Sequence, residues 1–197
     1  MPQFNIVNIR GTSGSGKSTV ATRIMAELEK TGHANEPVKQ EANGRERIVG
    51  HQFGPIFFAG RYNTACGGCD TMSWKGAADY ICDLLKWKSQ HGPVFAEGLM
   101  LAGWGTGRLR SLWEECEQKL HVIQLTTSLE ECLASVQARR EERARAAGKE
   151  TKPLNPDNTV AKWHGTMRGS ELLQKSGVPV EFLDREAAFL RARELLQ

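Results

Sequence analysis

The segment GTSGSGKS, from Gly11 to Ser18, constrains the fold of this chain more than any other feature of its sequence. Its spacing, G-x-x-x-x-G-K-S, is typical of a loop whose backbone N–H groups surround phosphate oxygens. Such a loop joins the end of a buried strand to the first turn of a helix. Residues 4–9 are mostly apolar, and residues 20–28 repeat apolar side chains at helical spacing. The sequence therefore predicts a strand, a phosphate-binding loop and a helix in succession.

Each residue type in this loop has a chemical reason to be there. Glycines let the backbone approach phosphates closely, and the helix N-terminus adds a partial positive charge. We expect Lys17 to reach the β- and γ-phosphates of ATP or GTP and the Ser18 hydroxyl to bind Mg²⁺. ATP and Mg²⁺ are thus the predicted cofactors. The predicted nucleotide-binding residues are Gly11, Thr12, Ser13, Gly14, Ser15, Gly16, Lys17, Ser18 and Thr19.

The rest of the chain alternates between strand-like and helix-like segments, which predicts an α/β fold. After the first strand we expect one or two short strands in 48–59 and single strands at 94–101, 120–126 and 178–183. Helices are expected from Thr71, at 106–119, at 128–147 with a capping box, at 159–175 and from Arg185. Residues 33–47 are polar and turn-rich. The prediction is a single P-loop NTPase domain over residues 1–197, with a five-stranded parallel sheet, helices on both faces and a small arginine-rich lid at about 139–158.

Composition bears on the location and partners of the protein but not on any reaction that it catalyses. The chain has 197 residues, a formal net charge of +3 and five cysteines, and no apolar run long enough to cross a membrane. We expect a cytoplasmic monomer or homodimer with reduced cysteines and no membrane partner. The small positive charge permits an anionic partner such as a nucleotide or a nucleic acid without requiring one.

Two groups of charged residues are candidates for the reaction itself. Glu97 lies inside an apolar run, where an ionised carboxylate needs a metal, a cation or a substrate hydroxyl nearby. The alternative is a glutamate at a strand end that faces solvent. Arg139 and Arg143 share one face of a predicted helix and could neutralise charge on the γ-phosphate. With Arg140 and Arg145 they could instead form a solvated helix face.

The segment from Gly60 to Trp74 contains the candidate acceptor-binding residues Arg61, Tyr62, Asp70 and Trp74. Arg61 and Tyr62 could hold a phosphate and a base, or could serve in packing. Asp70 could receive a hydroxyl proton, or could cap the helix predicted from Thr71. Cys66 and Cys69 have the spacing of a zinc pair, but no second pair exists, so a tight glycine loop is the favoured interpretation. Tyr62, Trp74 and Trp104 could stack on a base or belong to the core.

Taken in order, the loop at Gly11–Ser18, Arg61-Tyr62, Glu97 and the arginines of 139–145 resemble the nucleoside and nucleotide kinases of the P-loop class. Gly60 replaces the acid that precedes this arginine in that group, which argues against an ordinary nucleoside monophosphate as acceptor. The stretch GRYNTACGGCDT is similar to the phage kinases that phosphorylate 5-hydroxymethyluracil already in DNA. That resemblance implies transfer of the ATP γ-phosphate to a base hydroxymethyl group during thymidine hypermodification.

Three functional hypotheses follow. The first is a kinase whose acceptor is hydroxymethyluracil-containing DNA, with Lys17, Ser18 and Mg²⁺ organising ATP and Glu97 or Asp70 orienting the acceptor. A free nucleoside, nucleotide or other small molecule is the alternative acceptor. The second is an NTPase switch or motor, and the third is a non-catalytic nucleotide-binding module. The small size of the chain favours the kinase.

Overall fold

Seven strands form one sheet in the computed structural model, which describes residues 4–42, 44–62, 67–103, 106–151 and 153–197. They are β1 (Ile6–Arg10), β2 (Asn35–Ala42), β3 (Arg45–Phe53), β4 (Ile56–Ala59), β5 (Val94–Glu97), β6 (Leu120–Leu125) and β7 (Val180–Leu183). Their order across the sheet is β2-β3-β4-β5-β1-β6-β7. Neighbours from β4 to β7 run parallel, whereas β2, β3 and β4 are joined antiparallel.

Helices cover both faces of this sheet. They are α1 (Lys17–Lys30), α2 (Ala77–Ser89), α3 (Leu99–Ala102), α4 (Thr106–Glu115), α5 (Leu129–Ala146), α6 (Asp157–Lys175) and α7 (Arg185–Leu195). A 3-10 turn spans Cys69–Thr71. One buried cluster joins α1 and α7 to the sheet, and a second cluster on the other face joins α2, α4 and α6 to it. The α/β prediction is therefore confirmed, with the helices arranged in two layers.

The prediction of a five-stranded parallel sheet was wrong in number and in type. Five parallel strands are present, but β2 and β3 add an antiparallel ribbon that makes the sheet mixed. Residues 33–47 were predicted to be turn-rich because they are polar. At the edge of a sheet, a strand can expose polar side chains on both faces, and Lys39 pairs across the ribbon with Glu46 at 3.1 Å. Such a strand lacks the apolar alternation that marks a half-buried one.

Two predicted boundaries also moved, and both lie next to the cleft described below. Strand β5 ends at Glu97 instead of at residue 101, because Gly98 turns the chain at φ 149° into the short helix α3. The helix predicted from Thr71 begins only at Ala77. The capping box predicted for Ser128 is confirmed, since its hydroxyl accepts from the N–H of Glu131 and the Glu131 carboxylate accepts from the N–H of Ser128.

Candidate active site

The glycine-rich loop leaves β1 at Arg10 and enters α1 at Lys17, at the carboxyl edge of the parallel strands. Gly14 and Gly16 have φ values of 83° and 98°, a region that favours glycine. A Cβ atom at Gly14 would lie 2.4 Å from the Cys132 carbonyl oxygen, so α5 packs directly on the loop backbone. The loop conformation thus depends on glycine both for its dihedral angles and for this close contact.

Lys17 is buried beside the loop. Its Nζ donates hydrogen bonds to the carbonyl oxygens of Gly11 at 2.9 Å and Thr12 at 3.0 Å. Burial lowers the pKa of this ammonium, and the negative charges of Glu97 and Asp70 oppose that shift. The two carbonyl contacts fix the Lys17 side chain over the glycine-rich loop.

Glu97 joins the loop to the neighbouring strand. It is 1% exposed at the end of β5, opposite Ile9 of β1, and its Oε1 accepts a hydrogen bond from Ser18 Oγ at 2.9 Å. This burial excludes the solvent-facing alternative. Desolvation raises the pKa of the Glu97 carboxyl, while Lys17 and the Ser18 hydroxyl lower it. The two oxygen ligands are of the hard type that Mg²⁺ prefers.

Asp70 lies in the 3-10 turn and contacts the first residues of α3 directly. Its Oδ2 accepts from the N–H of Leu99 at 2.9 Å, and its Oδ1 accepts from the N–H of Met100 at 2.8 Å. Asp70 therefore caps a helix, but one 29 residues away in sequence rather than the one predicted from Thr71. The carboxylate still borders the cleft next to Glu97.

A cleft of about 340 Å³ brings most of the predicted residues together. Its lining comprises Ser13, Gly14, Gly16, Lys17, Ser18, Thr19, Gly67, Asp70, Glu97, Leu99, Ser135, Arg139 and Arg185. Thr12 and Ser15 are buried in the loop below it. Of the two predicted arginines, Arg139 lines the cleft, whereas Arg143 lines a shallow depression with Arg140 and Lys149.

The remaining acceptor candidates lie outside this lining. The Tyr62 ring packs edge-on against Phe58 at 6.3 Å, and its hydroxyl is buried with no hydrogen-bond partner in the described part of the chain. Arg61 is held through its backbone N–H, which donates to Thr71 Oγ1 at 2.9 Å. Trp74 packs against Tyr80 at 5.4 Å and lies under the Arg47 guanidinium at 5.2 Å.

The predictions on Cys66 and Trp104 fall outside the described residues. Cys69 is buried, and the described residues contain no cluster of three or more His, Cys, Asp or Glu side chains that could hold a metal ion. Gly68 lies so close to Glu97 that a Cβ atom would be 2.5 Å from the Glu97 carbonyl oxygen. The glycine loop before Asp70 thus brings its backbone against the end of β5.

Sequence reasoning missed Arg185. It is the first residue of α7, lines the cleft and donates from Nε to the Ser15 carbonyl oxygen at 2.9 Å. Thr127, which follows β6, likewise donates to that oxygen at 2.8 Å. Both residues follow parallel strands, so the rule that ligands bind at the carboxyl ends of such strands could have identified them.

This combination defines the class of the protein. Lys17 and Ser18 begin the helix that follows a parallel strand and a glycine-rich loop. The buried Glu97 carboxylate on the adjacent strand accepts a hydrogen bond from the Ser18 hydroxyl. The cleft beside them is bordered by Arg139 and Arg185. The fold and the site are those of a P-loop kinase, a phosphotransferase that binds a nucleotide.

Comparison with known proteins then gives the family. The chain is 34% identical over 199 residues to a 5-hmdU DNA kinase of Pseudomonas phage PaMx11, and the match covers 100% of both proteins. The chain belongs to the family of this phage kinase.

The other comparisons add little to this assignment. A crystal structure of a gluconokinase from Sinorhizobium meliloti 1021 superposes with a TM-score of 0.46 at 14% identity, over 99% of this chain and 92% of that one. That likeness is too slight to bear on function. No family model matches the sequence. In the described part of the chain, no helix has the length and apolar character needed to span a membrane.

Proposed function

We propose that this protein transfers the γ-phosphate of ATP to the 5-hydroxymethyl group of 5-hydroxymethyluracil in DNA. The observation that carries the proposal is the full-length match at 34% identity to a protein named as a 5-hmdU DNA kinase. The geometry of the cleft supports it, because a nucleotide-binding end and a carboxylate-bearing end meet in one cavity.

The nucleotide end is assigned to the loop backbone from Gly11 to Thr19, with Lys17 beside the β- and γ-phosphates. Arg139 and Arg185 border the same cleft and would neutralise charge on the phosphates. Ser18 and Glu97 provide oxygen ligands suited to Mg²⁺, directly or through a water molecule. When bound, the ion would screen the negative charge of the transferring phosphoryl group.

The acceptor end is assigned to Asp70 and Glu97. In the proposed reaction the hydroxymethyl oxygen forms a bond to the γ-phosphorus, and the bond from that phosphorus to the β–γ bridging oxygen breaks. ADP leaves with the electron pair, and the hydroxyl proton passes to Glu97 or to water. A carboxylate within hydrogen-bond reach of the acceptor hydroxyl can take up its proton as a general base.

Asp70 has a different proposed role. Both of its oxygens accept N–H groups of α3, so it fixes the segment that follows Glu97. Arg61 and Tyr62 precede the glycine loop that contacts Glu97, and we assign them to support of the acceptor segment. The packing of Trp74 against Tyr80 favours a structural role for that ring.

The experiment compares acceptors that differ by one feature. γ-labelled ATP is incubated with DNA containing 5-hydroxymethyluracil, with the same DNA containing thymine, and with free 5-hydroxymethyldeoxyuridine monophosphate. We expect label in the hydroxymethyluracil DNA and none in the thymine DNA, because thymine lacks the accepting hydroxyl. Label in the free nucleotide alone would reject DNA as the substrate, and ATP hydrolysis without any labelled acceptor would indicate an NTPase.

A further inference from the structure

A second cavity adjoins the cleft on the acceptor side. This α3–α6 groove is lined by residues of α3, α6 and the start of α4, among them Leu99, Thr106, Lys162, Gly165, Thr166 and Gly169. Leu99 lines both the cleft and the groove, so the two cavities are direct neighbours. The groove measures about 570 Å³ against about 340 Å³ for the cleft. The groove is thus a second recess beside the cleft, and the larger of the two.

A buried cation lies beneath this groove. Arg10 is 1% exposed, and Gly169 is so close that a Cβ atom there would be 3.2 Å from a terminal nitrogen of the Arg10 guanidinium. In the described part of the chain the hydrogen bonds of Arg10 go to neutral oxygens, namely Ser170 Oγ at 3.0 Å and the carbonyls of Ala102 at 2.9 Å and Leu101 at 3.5 Å. Burial lowers the pKa of Arg10 to about 10, so it stays charged at neutral pH.

The charge around the groove is positive. Burying an ion without a counter-charge costs several kcal/mol, and Arg10 has no carboxylate among the partners just described. Lys162 adds an exposed ammonium at the rim, and none of the described residues that line the groove is acidic. The adjoining cleft, by contrast, contains Asp70 and Glu97. An anion placed in the groove would be attracted by Arg10 and Lys162, and no described residue of the groove lining carries a negative charge that would repel it.

Gly165 keeps the groove open at a cost to α6. Glycine inside a helix is less favourable than alanine, because it loses more backbone entropy on folding. A Cβ atom at Gly165 would meet nothing within 4 Å, so packing does not require glycine at this position. A larger side chain would fit the fold and would occupy space in the groove.

We infer that the α3–α6 groove binds the sugar-phosphate backbone next to the acceptor base when that base is in the cleft. This inference rests on the proposed function, since it names the path of the same DNA strand. Arg10 and Lys162 supply the positive potential at the groove. The Thr106 hydroxyl can donate to a phosphate oxygen, and Leu99 offers an apolar contact for a sugar or base.

The test uses substrate length together with a variant that fills the groove. We compare kcat/KM for 5-hydroxymethyluracil as a mononucleotide and at the centre of a single-stranded pentanucleotide. For the unmodified protein we expect flanking nucleotides to raise kcat/KM by about tenfold, because their phosphates and bases add contacts in the groove. Gly165→Leu should lose that gain while its KM for ATP and its activity on the mononucleotide stay unchanged.

Controls separate the groove from the fold and from the proposed reaction. His164→Leu adds the same side chain to an exposed position of α6 outside the groove lining and should keep the length dependence. Gly165→Leu should melt no lower than the unmodified protein, because leucine favours a helix. Lys162→Gln should reduce the slope of log affinity against log salt by about 1.

Three outcomes would count against specific statements. Retention of the length gain in Gly165→Leu, or equal activity of the unmodified protein on both substrates, would overturn the groove inference and leave the kinase assignment intact. Failure of the unmodified protein to phosphorylate any hydroxymethyluracil substrate would instead overturn the proposed function.

Discussion

The two ends of the cleft are built in different ways. The nucleotide end consists of one contiguous loop, Gly11–Ser18, whose backbone provides most of the surface. The acceptor end is assembled from segments far apart in sequence. There the Asp70 carboxylate accepts hydrogen bonds from two N–H groups of α3, and the Glu97 carboxylate accepts one from the Ser18 hydroxyl. A backbone site depends on glycine dihedral angles, whereas a side-chain site depends on how several elements pack. Substitutions should therefore act differently at the two ends.

The largest effect is expected at the nucleotide end. Lys17→Ala removes the buried ammonium that bonds the Gly11 and Thr12 carbonyls, and it should lower the single-turnover rate of phosphoryl transfer by about 10²- to 10³-fold. Stability should change little, because the loop conformation depends on its glycines and because burying the ammonium is itself costly. Rapid-quench kinetics and equilibrium unfolding measure the two quantities.

Lys30→Ala is the matched control for this experiment. Lys30 is exposed in the last turn of the same helix, so its removal should leave the rate unchanged. Transfer at the normal rate in Lys17→Ala would mean that the phosphate loop does not hold the reacting nucleotide.

At the junction of the two ends, Glu97→Gln tests the buried carboxylate. It keeps the shape but removes the charge, and we expect kcat to fall by about 10²-fold. A protonated carboxyl cannot accept the hydroxyl proton, so kcat/KM should rise with pH as Glu97 ionises. Because burial raises the pKa of Glu97, the inflection should lie above the usual 4.5. In Glu97→Gln that inflection should be absent. A pH profile that keeps the same inflection in the variant would assign it to another group.

The difference between the ends also explains how much the sequence could reveal. The loop, its flanking elements and the capping box of α5 follow from local spacing, so they were predictable. The contacts of Asp70 were not, because a capping pattern in sequence refers to the helix that follows, and this carboxylate caps a helix formed 29 residues later. The burial of Arg10 was not predictable either, because an arginine at the end of an apolar strand resembles any other residue at a strand end. Its burial becomes visible only when α3 and α6 pack over it.

The smallest effect is expected at the edge of the cleft formed by α5, where two arginines one helical turn apart allow a matched comparison. Arg139 is partly buried and lines the cleft, whereas Arg143 is exposed and lines a separate depression. Arg139→Ala should lower kcat about tenfold, roughly 1.4 kcal/mol, and Arg143→Ala should change it less than twofold. Both variants remove the same cation from the same helix, so general effects on helix stability and net charge cancel in their comparison. Equal losses would indicate that α5 contributes a diffuse positive field instead of a contact to the phosphates. A larger loss in Arg143→Ala would require the segment after α5 to close over the nucleotide during the reaction, bringing Arg143 into the cleft and moving the boundary between the two ends.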